Sequence, residues 1–439
     1  MVPMTAAWRK ALLRRRHQLM QAAGEGAILI LPAAAERIRS RDTHYPYRQD
    51  SDFWYLTGCV EPDAVLVLVP GRKHGESILF CRERDPEREG WDGPRLGPEG
   101  AVEVLGVDDA YPVSDIDDIL PGLLEGRRRV HYHLGRDAEF DLKLIGWLNR
   151  VRAQVRQGAQ PPQEFLELGH LLDEQRLFKS AEEVKLMQRA ADISVQAHRA
   201  AMRAARPGVH EYELQAEVER LFRMHDAQPA YASIVGAGAN ACILHYRDNR
   251  AKSRDGELVL IDAGAEYRGY AADITRTFPV NGRFSKEQRA LHDLVCAAQA
   301  AALAQARPGV AYEAGHEAAV ATLAEGLLSL GLLKGTLEAV VARGDYKRFY
   351  RHKTGHWLGL DVHDVGEYRI DGESRLLEAG MVFTIEPGLY IPADADVPAK
   401  WRGIGIRIED DVLITADGHR VLTAALERSA DEVEALMAA

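Results

Sequence analysis

Four acidic residues lie at the ends of, or within, apolar strand-like segments in the C-terminal part of the chain. Asp262 follows the apolar run 258–261, and Asp273 comes later in the same segment. Glu386 and Glu409 occupy similar places further along the chain. Carboxylates that share a buried site repel one another unless a cation lies between them. If the four converge, the set predicts a site for more than one divalent metal ion.

The segment 257–278 predicts a β-hairpin that turns at Tyr267 and Arg268. In that register Asp262 and Asp273 are direct cross-strand partners, whose Cβ atoms lie about 4.5–5.5 Å apart on one face. A solvated hairpin tip with incidental acidic residues is the alternative. The hairpin pattern alone does not decide between a metal site and such a tip.

A second pair of segments repeats this arrangement. The strand-like segment 381–386 ends in Glu386, and the segment 403–414 contains isoleucines that alternate with Arg407 and Glu409. Because successive side chains of a strand point to opposite faces, Arg407 and Glu409 are expected to share the face opposite the isoleucines. We therefore expect one pair of carboxylates from each segment pair to meet at a central point.

Three histidines lie within the segment 351–363: His352, His356 and His363. The first two have the i, i+4 spacing of a zincin helix, but Lys353 stands where that motif has glutamate, and Gly355 disfavours a helix. The segment instead predicts a loop that brings His356 to the metal ions. His245 precedes the acidic hairpin and, taken alone, is typical of an ordinary core histidine.

An internal repeat indicates how these residues are positioned. The sequence Ala-Arg-Pro-Gly-Val occurs at 205–209 and again at 306–310. In each copy an alanine-rich helical segment precedes it, an acidic amphipathic helix follows, and a β-rich, acid-bearing stretch comes next (257–280 and 380–415). The matching order favours duplication over a chance match. Two related α/β halves are expected to form a cleft at their junction.

A chain of 439 residues is too long for one ordinary hydrophobic core. Apolar runs at 64–69 and 77–80 predict adjacent strands in a first domain, residues 1–177. Ser180 as N-cap and Glu183 as its capping-box partner predict a helix that opens a second domain, residues 178–439.

Composition excludes several classes of function. There are 55 Lys and Arg against 66 Asp and Glu, a net charge of −11, which argues against nucleic-acid or anionic-membrane partners. No segment is apolar for the roughly 18 residues of a membrane span. The four cysteines form no CxxC pair and are expected to be reduced thiols. These features predict a cytoplasmic protein.

As a set, these residues resemble the pita-bread metallopeptidases, which hold a dinuclear metal centre with five ligands in one order. The matching positions are Asp262, Asp273, His356, Glu386 and Glu409. The motifs at 356–366 and 402–411 resemble the proline-specific branch, and 45–58 and 91–93 look like aminopeptidase P. The resemblance implies an α/β (α+β) fold, with an N-terminal creatinase/prolidase-like α/β domain and a C-terminal pseudo-twofold pita-bread domain.

The resemblance also implies an activity, the release of the N-terminal residue from peptides with proline at the second position. It implies two divalent metal ions, Mn²⁺ by preference, with Zn²⁺ or Co²⁺ able to replace it. Asp262 is expected to bind one ion, and Asp273 and Glu409 to bridge both. His356 and Glu386 are expected to complete the second site.

Catalytic roles follow from the same resemblance. Glu386 is expected to accept and shuttle a proton, and His363 to stabilise the developing oxyanion. His352 and His245 are expected to contact the peptide substrate. Arg407 is expected to hydrogen-bond a ligand carboxylate and offset its charge.

Two other functions remain open at this point. A prolidase, which cleaves only Xaa-Pro dipeptides, needs a basic group to hold the free carboxylate. A non-catalytic pita-bread binding module typically lacks metal ligands, whereas all five positions are present here.

The family further implies a homo-oligomer, a dimer or tetramer, in which the N-terminal domain caps the cleft or joins subunits. Trp91 is a candidate contact residue in such an assembly. The expected partners are therefore Xaa-Pro peptides and other copies of the chain, without nucleic acid or membrane.

Overall fold

The computed structural model describes residues 5–439. The chain divides into two compact units between Gln175 and Arg176, here called the N-terminal unit and the C-terminal unit. Within the described residues, no helix has the length and apolar composition needed to cross a membrane. The cysteines Cys59, Cys81, Cys242 and Cys296 are all free thiols.

The N-terminal unit is a mixed α/β structure. Its strands are β1 (Ala27–Pro32), β2 (Ile38–Ser40), β3 (Thr43–His44), β4 (Val65–Leu68), β5 (Ser77–Cys81), β6 (Asp109–Pro112), β7 (Arg129–Tyr132) and β8 (Glu164–Glu167). Its helices are α1 (Ala6–Ala23), α2 (Ser51–Thr57), α3 (Pro86–Asp92), α4 (Gly97–Gly100), α5 (Ile116–Leu124), α6 (Ala138–Ala153) and α7 (Gly169–Leu177), the last of which spans the division between the units.

One sheet of the N-terminal unit has the strand order β6-β5-β4-β1-β7-β8. The predicted neighbours β4 and β5 pair antiparallel, with Val65 opposite Phe80. The continuous apolar sequences of β1 and β4 are typical of strands buried on both faces, and both strands are almost fully buried.

The C-terminal unit contains the acidic segments. Its helices are α8 (Ala181–Ala204), α9 (Glu211–Met224), α10 (Lys286–Leu303), α11 (Tyr312–Ser329), α12 (Leu337–Arg343) and α13 (Ala430–Ala438). Its strands are β9 (Gln228–Pro229), β10 (Ile234–Ala237), β11 (Leu258–Asp262), β12 (Ala265–Tyr267), β13 (Tyr270–Ala271), β14 (Thr275–Pro279), β15 (Arg369–Ile370), β16 (Glu373–Ser374), β17 (Val382–Ile385), β18 (Gly388–Ile391), β19 (Ile404–Arg407), β20 (Asp410–Thr415) and β21 (Gly418–Val421).

The capping box predicted at the start of the second domain is present at the N-terminus of α8. The Ser180 side chain accepts from the Glu183 backbone N–H, and the Glu183 carboxylate accepts from the Ser180 backbone N–H. These two bonds satisfy donors that an uncapped helix would leave unpaired.

The C-terminal unit consists of two halves with the same order of elements. The helix pair α8 and α9 precedes the sheet β10-β11-β14, and the pair α10 and α11 precedes the sheet β17-β20-β21. The repeated pentapeptides even make equivalent hydrogen bonds. The Gly208 N–H donates to Ser253 O over 3.0 Å, and the Gly309 N–H donates to Leu377 O over 2.8 Å. This agreement confirms the predicted duplication.

Candidate metal centre

Four carboxylates and one imidazole converge where the two halves meet. Asp262 ends β11, Asp273 precedes β14, and Glu386 directly follows β17. Glu409 lies between β19 and β20, and His356 lies on the irregular segment before β17. We call these five residues the carboxylate cluster.

The turn of the first hairpin was predicted one residue too early. The predicted cross-strand partner of Asp262 is therefore wrong by two residues. The turn lies at Arg268 and Gly269, both with positive φ (51° and 84°), as a two-residue hairpin turn with the twist of its strands requires. Asp262 therefore pairs with Thr275, whereas Asp273 lies nearer the turn. Gly269, rather than Tyr267, was the turn signal in the sequence.

Asp262 and Asp273 nevertheless share a hydrogen-bond partner, Tyr231, and the segments that carry them come unusually close at Gly264. A Cβ atom at this position would lie 1.7 Å from Ala272 O, so only glycine fits. The close approach brings the backbone before Asp273 against the segment that follows Asp262. Gly264, two residues after Asp262, is therefore part of the geometry of the cluster.

Tyr231 joins the two aspartates. Its hydroxyl lies 2.6 Å from Asp262 Oδ1 and 2.5 Å from Asp273 Oδ1. Burial, followed by the charges of these carboxylates, raises its pKa well above the usual value, so the hydroxyl remains a proton donor. No pattern in the sequence pointed to Tyr231, which lies in a segment without a recognisable motif.

The Arg407 guanidinium links the carboxylate cluster to a histidine on its border. One nitrogen lies 2.6 Å from Asp262 Oδ2, and another donates over 2.9 Å to the hydroxyl of Tyr390. The Tyr390 hydroxyl in turn lies 2.8 Å from Nε2 of His352. The predicted contact of Arg407 with a ligand carboxylate is thus present.

His356 presents one ring nitrogen to the acids. Its Nδ1 lies 3.0 Å from the backbone oxygen of Trp357, which places the proton on Nδ1. Nε2 then lies 3.4 Å from Asp273 Oδ2 and 3.9 Å from Glu386 Oε1. An imidazole held through Nδ1 that turns Nε2 toward carboxylates is the arrangement of a metal-binding histidine. As predicted, the segment around it is not a zincin helix.

For the other two acids of the cluster, Glu386 and Glu409, burial has a larger effect on the pKa than the nearby positive charges. Burial raises the pKa of Glu386 to about 7, although the positive charge of His356 opposes the shift. Burial also raises the pKa of Glu409 well above its usual value, and Asp273 adds to this effect. Glu409 accepts a hydrogen bond of 2.6 Å from the Thr275 hydroxyl, a donor that sequence analysis missed.

These observations fit divalent metal ions. Three buried carboxylates (Asp262, Asp273 and Glu409) and the partly buried Glu386 face one guanidinium and one imidazole, so the acidic groups of the cluster outnumber the basic ones. Ligand atoms of Asp273, His356 and Glu409 all lie within 4.8 Å of one another, a spacing that one ion can span. A donor set of four carboxylates and one imidazole suits hard, oxygen-binding cations.

The other predicted histidines lie around the carboxylate cluster. The rings of His363 and His356 have centroids 4.4 Å apart in a T-shaped arrangement. Burial lowers the pKa of His352 to about 3, and both Arg407 and His245 act in the same direction. Both His245 and His363 are exposed to solvent, where a substrate can reach them.

Comparisons with known proteins agree with this geometry. Residues 185–416 match the model of metallopeptidase family M24, and residues 12–132 match the N-terminal domain of aminopeptidase P. The Xaa-Pro aminopeptidase of Escherichia coli (strain K12) is 47% identical over 433 residues, covering 98% of each chain.

Solved structures are similar over the same length. The aminopeptidase PepP of Pseudomonas aeruginosa has a TM-score of 0.98 and 56% identity, and covers 100% of this chain and 99% of its own. Escherichia coli aminopeptidase P has a TM-score of 0.95 and 46% identity over 98% of both chains, in a variant with substrate and in a zinc-substituted form with product.

Proposed function

This chain belongs to metallopeptidase family M24 and carries the N-terminal domain of aminopeptidase P, and we infer that it is a metallo-aminopeptidase. It releases the N-terminal residue from peptides whose second residue is proline. The observation in the structure that carries this conclusion is the convergence of all five residues of the carboxylate cluster. Family, fold class and activity thus follow the expectations from sequence.

We propose that the carboxylate cluster holds two divalent ions and that Mn²⁺ is the native metal. Carboxylate oxygens favour hard cations, while the affinity order allows Zn²⁺ or Co²⁺ to compete. In this proposal Asp262 binds one ion and His356 and Glu386 the other, with Asp273 and Glu409 between them. When bound, such ions polarise the scissile carbonyl and activate water.

Glu386 is proposed to move the proton. The bond before proline is a tertiary amide, so its nitrogen carries no hydrogen and must be protonated as it leaves. Glu386 lies at the border of the cluster, with Oε2 3.6 Å from His352 Nδ1. From there its carboxylate can take a proton from the attacking water and deliver it to the proline nitrogen.

Three histidines are proposed to bind and orient the peptide, and Arg407 is proposed to hold a carboxylate of the metal centre. His363 is exposed beside His356, where it can donate to the carbonyl oxygen as negative charge develops. His352, held by Tyr390, and His245 are proposed to contact the substrate backbone and the proline ring. Arg407 hydrogen-bonds the Asp262 carboxylate, offsets its charge and orients Tyr390.

We also propose that the protein acts in the cytoplasm as a homo-oligomer, a dimer or tetramer. Trp91, the candidate contact residue of the predicted N-terminal domain, residues 1–177, is 85% exposed and is therefore accessible to another subunit. The net charge of −11 continues to argue against nucleic acid as a partner.

The test is to load metal-stripped protein with Mn²⁺ and to follow an Xaa-Pro-Yaa tripeptide and an Xaa-Pro dipeptide by mass spectrometry. We expect rapid release of Xaa from the tripeptide and little from the dipeptide. Cleavage of the dipeptide alone would identify a prolidase. Inactivity on both peptides with bound metal would identify a binding module.

A further inference from the structure

The internal duplication also places two buried polar side chains at equivalent positions. His198 on α8 and Gln299 on α10 each lie seven residues before the alanine that begins a copy of the repeated pentapeptide. Both side chains have no exposed surface. A fully buried polar side chain destabilises a core unless it makes hydrogen bonds. Its hydrogen-bond partners therefore show which part of the structure it holds in place.

In the first half, His198 bonds to the backbone beside a residue of the carboxylate cluster. Its Nε2 lies 2.9 Å from the backbone oxygen of Ala263, the residue after Asp262. Burial lowers the pKa of His198 to about 4, so the ring is neutral and Nε2 carries the proton that it donates.

In the second half, Gln299 bonds beside two residues of the cluster at once. Its Nε2 lies 3.2 Å from Ile385 O and 3.4 Å from Ile408 O, and these residues directly precede Glu386 and Glu409. The same nitrogen lies 2.9 Å from Asp410 Oδ2.

The orientation of the Gln299 amide follows from its fourth partner. The amide oxygen lies 3.2 Å from a guanidinium nitrogen of Arg428, which can only donate. The NH₂ group must therefore face the two backbone carbonyls and Asp410. Each of the four contacts thus pairs a donor with an acceptor, and the two N–H groups of the amide are shared among three acceptors.

We propose that Gln299 is a positioning residue for the metal centre, an inference that rests on the proposed function. One amide group fixes the two backbone segments that carry Glu386 and Glu409 relative to each other. Ligand carboxylates must be held to within a fraction of an ångström to bind an ion tightly. His198 holds the single backbone segment that carries Asp262 in the same way. Both halves of the duplication therefore have a buried side chain that bonds to the backbone beside a residue of the carboxylate cluster.

The test compares Gln299→Met with Gln288→Met in the full-length protein. Gln288 lies on the same helix, is also buried, and donates from Nε2 to the backbone oxygen of Gly256 over 2.8 Å, away from the carboxylate cluster. Methionine keeps the length of both side chains but removes the donors. Mn²⁺ is titrated into metal-stripped protein by calorimetry, and unfolding by denaturant is measured without metal.

We expect Gln299→Met to bind Mn²⁺ about 10- to 100-fold more weakly than the wild type, the usual effect of losing a group that orients metal ligands. Gln288→Met is expected to lose stability but to keep the affinity of the wild type. Gln299→His, which introduces the residue of the equivalent position, retains one donor and is expected to recover part of the affinity.

An unchanged affinity of Gln299→Met, or an equal loss in Gln288→Met, would overturn the inference. If Gln299→Met does not fold, a wild-type affinity of Gln299→Ala or an unimproved affinity of Gln299→His relative to Gln299→Ala decides against it. Wild-type protein that binds no Mn²⁺ would overturn the proposed function and this inference together.

Discussion

Two buried clusters of charged side chains in the C-terminal unit differ in whether their own charges balance. The carboxylate cluster has four acids against one guanidinium and one imidazole. A second cluster, here called the salt-bridge cluster, has two cations and two acids: Arg176, Lys179, Asp361 and Asp364. Lys179 Nζ lies 2.9 Å from Asp364, and Arg176 lies 2.6 Å from the same carboxylate.

The difference shows how the surroundings of a buried acid decide its use. The cations beside Asp364 outweigh its burial and lower its pKa, so it is a stable anion without further help. Burial raises the pKa of Glu386 to about 7, so that acid gains from an additional cation. The salt-bridge cluster therefore serves the structure, while the carboxylate cluster is prepared for a ligand.

The salt-bridge cluster also supports the segment that carries two of the predicted functional histidines. Asp364 follows His363 directly, and its backbone N–H donates over 2.9 Å to the oxygen of Trp357, which follows His356. Anchoring Asp364 to Arg176 and Lys179 therefore restrains the loop between these histidines. The salt-bridge cluster has no proposed catalytic role, but it helps to position the histidines beside the carboxylate cluster.

The largest effect is expected from Glu409→Gln, which removes one charge from the carboxylate cluster. We expect the affinity for Mn²⁺ to fall by at least about 100-fold, and activity to fall with it. Replacing a residue that only orients metal ligands already lowers affinity by up to about 100-fold. Calorimetry and peptide cleavage measure both. The control is Glu378→Gln, because the side chain of Glu378 is 59% exposed. This substitution should change neither the affinity for Mn²⁺ nor the activity.

The same variant separates the two clusters further. Without metal, Glu409→Gln should be at least as stable to denaturant as the wild type, because it removes a carboxyl whose charged form is disfavoured by burial and by the neighbouring acids. A large loss of stability in the metal-free variant would contradict the view that the carboxylate cluster has surplus charge.

The next largest effect is expected from Asp364→Ala, which leaves Lys179 and Arg176 buried without their shared anion. Breaking a buried ion pair typically costs about 3 to 5 kcal/mol. Equilibrium unfolding in urea should show a loss of this size with and without Mn²⁺. A variant as stable as the wild type would show that the salt-bridge cluster does not stabilise the fold.

The two clusters should also respond to pH with opposite signs in metal-stripped protein. Glu386, with its pKa raised from 4.5 to about 7, contributes stability that is complete below pH 4.5 and lost as the pH rises through 7. Asp364, with its pKa lowered from 3.8, contributes stability that is complete above pH 3.8 and lost as the pH falls further.

Denaturant unfolding from pH 3 to 8 tests these signs. Saturating Mn²⁺ should reverse the slope between pH 4.5 and 7, because metal binds the deprotonated carboxylates. A metal-free slope that already rises with pH in this range would contradict the shift of Glu386.

The smallest effect is expected from Asp361→Asn. The side chain of Asp361 is 39% exposed, and Arg176 keeps its bond to Asp364 without it. Partly exposed ion pairs contribute about 1 kcal/mol or less. A change comparable to that of Asp364→Ala in the same urea experiment would mean that the four charges act as one unit.

Much of the site followed from sequence because its residues come with strong local patterns. An acid at the end of an apolar run, as at Asp262 and Glu386, is costly to bury unless a cation or hydrogen bonds compensate it, and this signal needs no structure. The repeated pentapeptide and the capping box of Ser180 and Glu183 are equally local. These patterns gave the duplicated halves and the four acids of the carboxylate cluster, and the resemblance to the pita-bread metallopeptidases gave the set of five.

The register of the first hairpin and the hydrogen bonds that hold the carboxylate cluster in place depended on the tertiary structure. The hairpin prediction failed because the turn could lie at either of two adjacent positions, and only the positive φ angles of Arg268 and Gly269 fix it. Tyr231, Thr275 and Gln299 have no motif, and they act through hydrogen bonds to residues far away in the chain.

The sequence by itself determined which residues carry charge and in what order they occur, since identity and local pattern are properties of the chain. Only the tertiary structure decided which buried acids have cations beside them. Asp364 is buried and Glu386 is partly buried, but segments distant in sequence give only Asp364 a lysine and an arginine within ion-pair distance. Electrostatic energy depends on distance in space, which the order of residues does not specify.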